Sequence, residues 1–103
     1  MATGPANRQT VMPQLRFTDE AATLAFYVGR LGFAVDWEHR FGEGFPLFAQ
    51  VTRHGQSLFL TGHAGDCQPG GAVHLWVADV DACHRDFTAR GLDLPPPQDT
   101  PWG

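Results

Sequence analysis

Residues 36–63 read DWEHRFGEGFPLFAQVTRHGQSLFLTGH. Just before and into this stretch, Val35 and Trp37 alternate with Asp36 and Glu38, the period of a strand with one face buried. Gly42-Glu43-Gly44 interrupts the alternation as a turn. PLFAQVT (46–52) and SLFLT (57–61) follow as two further strands, joined by a turn around Arg53-His54-Gly55-Gln56. Consecutive strands with short turns make an antiparallel meander. The same stretch carries His39, His54 and His63, with His74 soon after. Function turns on whether these histidines hold a metal or stand incidentally beside a pocket lined by aromatic rings.

Upstream, VMPQLRF (11–17) is a short strand whose first half Pro13 confines to an edge or a strand start. Thr18 before Asp19 and Glu20 reads as an N-cap with acids in the first turn. Leu24, Tyr27, Val28 and Leu31 recur at helical spacing and Gly32 stands as the C′ residue, so a helix is expected over 19–31. One apolar stripe of it must lie on a sheet.

Downstream, GHAGDCQPGG (62–71) is a polar loop rich in glycine, and then the pattern restarts. A strand over 72–77, an Asp cap, a helix with Val80, Cys83 and Phe87 inward, and a glycine stop repeat the order of the first unit. Leu15, Phe17, Asp19 and Gly32 match Leu75, Val77, Asp79 and Gly91 at offsets of 60, 60, 60 and 59 residues. That regularity suggests an internal duplication. Residues 11–62 supply a complete βαβββ module; 72–103 supply a strand and a helix, then DLPPPQDTPWG, whose prolines exclude a sheet interior. The expected class is α+β, a βαβββ module repeat with the second module incomplete.

With 103 residues, 43% of them hydrophobic, the chain builds one modest core. Residues 11–103 are read as a single domain and 1–10 as a flexible N-terminal arm. A net charge of −4 with seven dispersed basic residues opposes a nucleic-acid footprint and mildly favours a cationic or neutral small partner. No apolar run is long enough to span a membrane, and residues 1–13 lack the apolar centre of a secretory signal, so a cytoplasmic location is expected. Cys67 and Cys83 then read as two reduced thiols rather than a bridge.

The βαβββ order, FYVGRLGF (26–33), VADVDACHRDFTARG (77–91) and the terminal PWG together resemble the vicinal oxygen chelate superfamily. Within it, residues 36–77 are similar to the bleomycin-resistance, glyoxalase-like branch. The resemblance covers residues 12–103. It implies two modules whose sheets curl into a half-open cup. Enzymes of the superfamily hold a divalent metal there, whereas resistance proteins lack the metal and sequester a drug in a cleft between two subunits. Such chains usually continue past PWG with three more strands, so a homodimer is expected, with dimerisation or strand exchange covering the unpaired edge.

The resemblance places the metal-ligand positions at Met12, Phe59 and Ala72, with a last one past residue 103. None of the three side chains offers the imidazole or carboxylate that such an ion needs. His54 in a turn, His63 in a loop and His84 on the second helix read as surface histidines. No nucleophile stands beside an oriented base, so no catalytic residue and no cofactor are assigned.

Strand parity then selects what faces the cup. Ser57, Phe59 and Thr61 share that side, as do Ala72, His74 and Trp76; Phe48 and Gln50 face it from the third strand, and Trp37, His39 and Val35 from the second. The ligand-binding set is therefore Trp37, His39, Phe48, Gln50, Phe59, His74, Trp76 and Trp102, the last either closing the rim or covering the core. A ring of aromatics with a few polar groups suits a flat heteroaromatic, cationic ligand. The same rings could instead form a dimer or sheet core. The expected function is metal-free sequestration of a cationic aromatic antibiotic of the bleomycin type; the alternative is a metal-dependent lyase or dioxygenase of the same superfamily.

Overall fold

The computed structural model describes residues 9–101. Strands β1 (Gln14–Arg16), β2 (Ala34–His39), β3 (Phe48–Arg53) and β4 (Gln56–Thr61) form one sheet in the order β1-β4-β3-β2. β1 runs parallel to β4, and β2, β3 and β4 form the antiparallel meander. The β3–β4 turn is the two-residue kind that matches strand twist: Arg53 pairs with Gln56, and His54 takes a φ of 49°.

Between β1 and β2 the chain crosses the sheet as helix α1 (Glu20–Leu24), continued by a π-helical stretch over Ala25–Arg30. The N-cap is Asp19, one residue later than expected, and its carboxylate accepts from the Ala22 amide at 3.0 Å. The amide of Leu31 donates to Phe26 O, five residues back, and Phe33 donates to Tyr27 O. This widened turn sets Tyr27 and Leu31 against the sheet, where they join Leu15 and Phe17 over the buried Phe33, Val51, Leu58 and Leu60. Each large apolar side chain buried there contributes about 1.5–3 kcal/mol. The core therefore lies between the sheet and the helix, on the face that parity assigned to Leu58 and Leu60.

Helix α2 (Val80–Ala89) starts where expected, with Asp79 accepting from the Ala82 amide at 2.9 Å. Cys83 and Phe87 are half-buried, but Val80 is 52% exposed rather than inward. The helix is fastened by arginines. Arg53, from the end of β3, ion-pairs with Asp86 at 3.0 Å and lies over the Phe87 ring. Arg30 donates to Arg90 O at 2.8 Å. The glycines after the two helices take φ of 76° at Gly32 and 97° at Gly91. A Cβ on Gly32 would strike the Arg90 guanidinium, and one on Gly91 would strike that of Arg30. Arg30 and Arg90, each at the end of a helix, thus pack on the glycine that follows the other helix.

The strand expected over 72–77 does not form; of the second unit only the helix is regular among the described residues. An alternating pattern becomes a strand only where an edge offers ladder partners. Here the segment instead packs Val73 against the core cluster, and Gln56 Nε2 donates to Trp76 O. Both contacts lie on the helix side of the sheet. Cys67 and Cys83 are unpaired thiols. No helix among the described residues is long and apolar enough to cross a membrane.

Candidate functional site

The sheet face opposite the core is the one that strand parity assigns to the expected cup, the cup face. Along it Trp37 pairs in register with Gln50, and Gln50 with Phe59; His39 pairs with Phe48, and Phe48 with Thr61. Trp37 stacks on Phe48 with 5.7 Å between centroids and 18° between planes. Phe59 closes the group, 5.9 Å from Trp37 and 5.3 Å from Phe48. These spacings lie in the range where ring pairs contribute about 0.5–1.5 kcal/mol beyond area burial. At one end Phe41 stands edge-on to both His39 and His63, and Phe45 lies beside His63.

A polar row crosses the same face. Asp36 Oδ2 accepts from Gln50 Nε2 at 2.8 Å and from the Thr52 hydroxyl. Because Thr52 spends its proton on Asp36, the 2.6 Å contact between Thr52 Oγ1 and Ser57 Oγ has Ser57 as donor. Gln50 is 2% exposed, and its Oε1 finds no partner; neither does the buried Nε1 of Trp37. Two orphaned polar groups on cross-strand neighbours are unusual, since such groups cost about 1–3 kcal/mol each when left unmet. The row holds no imidazole; the one base in it, the Asp36 carboxylate, accepts from Gln50 and Thr52.

Asp36 is the residue that strand parity hides. A β-bulge between Val35 and Trp37 breaks the alternation. Val35 therefore lies opposite Val51, on the core side, and is not an inward partner of Trp37. Asp36 joins Trp37 on the cup side, because the two bulged residues oppose one on the partner strand. The available signal was an acid flanked by large apolar residues on a strand adjoining Gln50 and Thr52.

Of the expected ligand-binding set, Trp37, Phe48, Gln50 and Phe59 come together, with His39 at the exposed end. His74 and Trp76 do not join them. Both are exposed, Trp76 to 86%, on a segment that packs on the other side of the sheet. Trp102 lies outside the described residues. His63 is not a surface histidine: it is half-buried between Phe41 and Phe45, and its Nε2 is buried without a partner. His84 is half-buried as well, with Nε2 3.2 Å from Leu94 O.

Met12 offers only a soft thioether, Ala72 carries no donor atom and Phe59 belongs to the ring cluster, so these positions do not fit a divalent ion that takes imidazole or carboxylate ligands. Among the described residues no group of three or more His, Cys, Asp or Glu could hold one. The opposite face has a depression of about 340 Å³ lined by Leu15, Tyr27, Phe33, Leu58 and Val73. Its only charged lining residue is Arg16, and it offers no set of convergent polar groups.

The family profile for "Glyoxalase superfamily protein" matches residues 2–103. The chain belongs to the glyoxalase superfamily. Solved structures of superfamily type agree. A glyoxalase/bleomycin resistance protein from Streptomyces sp. CB03234 is 28% identical, with a TM-score of 0.69 over 89% of this chain and 82% of that one. TnmS3, an antibiotic binding protein from the same Streptomyces, is 26% identical, with a TM-score of 0.69 over 93% and 84%. TioX from Micromonospora sp. ML1 shares the fold at 24% identity and a TM-score of 0.64, over 93% and 84%. No curated protein matches the chain. The glyoxalase-superfamily module thus sets its meander so that one face packs the core and the other presents rings.

Proposed function

We propose that this protein binds and sequesters an aromatic, cationic antibiotic of the bleomycin type, without a metal and without transforming it. The observation that carries this reading is the Trp37–Phe48–Phe59 cluster on the cup face; the superfamily resemblance puts a metal-ligand position at Phe59. Two similar structures support it, since one is named a glyoxalase/bleomycin resistance protein and the other an antibiotic binding protein. The net charge of −4 favours a cationic partner at long range. A flat ring system would slide against Trp37 and Phe48, replacing ring–ring contact within the protein by contact with the ligand. Dispersion and stacking there are sequence-tolerant toward the drug, so charge and edge chemistry set preference.

Calorimetric titration of bleomycin into the metal-free protein tests the proposal. Saturable binding at micromolar drug is expected, weakened at least tenfold in Trp37→Ala and unchanged in Trp76→Ala. No heat at that concentration, with the protein folded, rejects the reading. Stoichiometric Zn, Ni, Mn or Fe in the purified protein would favour a metal-dependent lyase or dioxygenase instead.

A further inference from the structure

We propose that Gln50 Oε1 and Trp37 Nε1–H act together as an acceptor and a donor that read the edge of the bound ring system. The site then prefers planar ligands that carry an N–H or O–H donor next to a carbonyl or ring-nitrogen acceptor. This deepens the binding reading above and rests on it. Gln50 sits mid-face, between Trp37 on β2 and Phe59 on β4 in register, and is 98% buried by its 2% exposure. Its amide orientation is set by chemistry: Nε2 donates to Asp36 Oδ2 at 2.8 Å, so the remaining atom is an acceptor. Asp36 is itself held by Thr52, and Thr52 by Ser57, so the amide has little freedom to flip. Yet Oε1 has no partner, and neither has the indole Nε1 of the cross-strand neighbour Trp37.

An acceptor and a donor orphaned on cross-strand neighbours are complementary to a ligand edge bearing the opposite pair. Ring surfaces surround them, because the Trp37 and Phe59 centroids stand 5.9 Å apart with Gln50 between their strands. Trp37 lies on β2, an edge strand of the sheet, and its ring stacks on Phe48 and meets Phe59. A site that buries polar groups for a ligand rejects analogues lacking their counterparts, since the groups are then desolvated unpaired.

The test compares quinolin-2(1H)-one, which places N–H beside C=O on one edge, with 1-methylquinolin-2-one, which keeps the ring and the carbonyl but loses the donor. Calorimetry on the wild-type chain is expected to show the parent binding at least tenfold tighter. Gln50→Met should narrow that preference to within about threefold, and Trp37→Phe, which keeps a ring without its N–H, should weaken the parent about tenfold. Circular dichroism checks that both variants fold. Equal binding of the two probes to wild type, or a preference that survives Gln50→Met, overturns the inference. If bleomycin binds while the quinolinones fail to discriminate, or fail to bind, this inference falls alone; if none of the three compounds binds, the sequestration reading falls with it.

Discussion

Asp36 holds the cup face together by accepting two hydrogen bonds at one oxygen. Asp36→Ala leaves the buried Gln50 amide and the Thr52 hydroxyl without an acceptor. Asp36 is itself exposed, so water recovers part of the loss; a destabilisation of about 1–2 kcal/mol is expected in urea denaturation. Asp36→Asn keeps one acceptor oxygen and should lose less. An Ala variant as stable as wild type would mean that the row does not order Gln50. The same residue marks the limit of what strand periodicity can reveal. Where the ladder is regular, alternation alone put Phe48, Gln50 and Phe59 on one face and Leu58 and Leu60 on the other. At the bulge it misplaced Val35 and hid Asp36, because an inserted residue shifts parity without a distinctive sequence mark.

Among the elements, the two helix ends are coupled. Arg30 and Arg90 each lie against the other unit's stop glycine, and both glycines need positive φ. Gly32→Ala and Gly91→Ala should each cost about 1–2 kcal/mol from backbone strain, with displacement of an arginine in addition. Because the two contacts join the same pair of helix ends, the double variant should cost less than the sum; strict additivity in denaturation midpoints would make the two ends independent. Helix α2 has a second tether with a pH signature. The Arg53 guanidinium beside Asp86, helped by Arg90, holds that exposed carboxyl below its ordinary value. A depressed folded-state pKa gives a contribution that is complete above the unfolded value, about 4, and lost as pH falls through the depressed one. The thermal midpoint of wild type should therefore drop more between pH 5 and pH 3 than that of Asp86→Asn, which lacks the tether at both. Equal drops would remove Asp86 from the attachment of α2. Both helices and the meander were legible in hydrophobic spacing and capping residues. The strand over 72–77 was not, because its alternating pattern says nothing about whether a partner edge exists; Val73 packs on the core instead, while Leu75 and Trp76 stay exposed.

For the molecule as a whole, the radius of gyration of 14.8 Å exceeds the roughly 13 Å of a compact domain of about 100 residues. Large apolar side chains remain at the surface, Phe41 to 64% and Phe45 to 51% beside the cup. A second copy meeting this face would cover them, so light scattering is expected to report a dimer; a monodisperse monomer would leave the ring cluster to bind ligand unaided. The measurement that bears most directly on the central claim uses the tryptophan indole signals. In ¹⁵N-labelled protein titrated with bleomycin, the Trp37 Nε1–H resonance should shift progressively and saturate, while that of Trp76, on the other side of the sheet, stays in place. Saturable binding that leaves the Trp37 resonance unmoved, or no binding by the folded protein, would contradict the account.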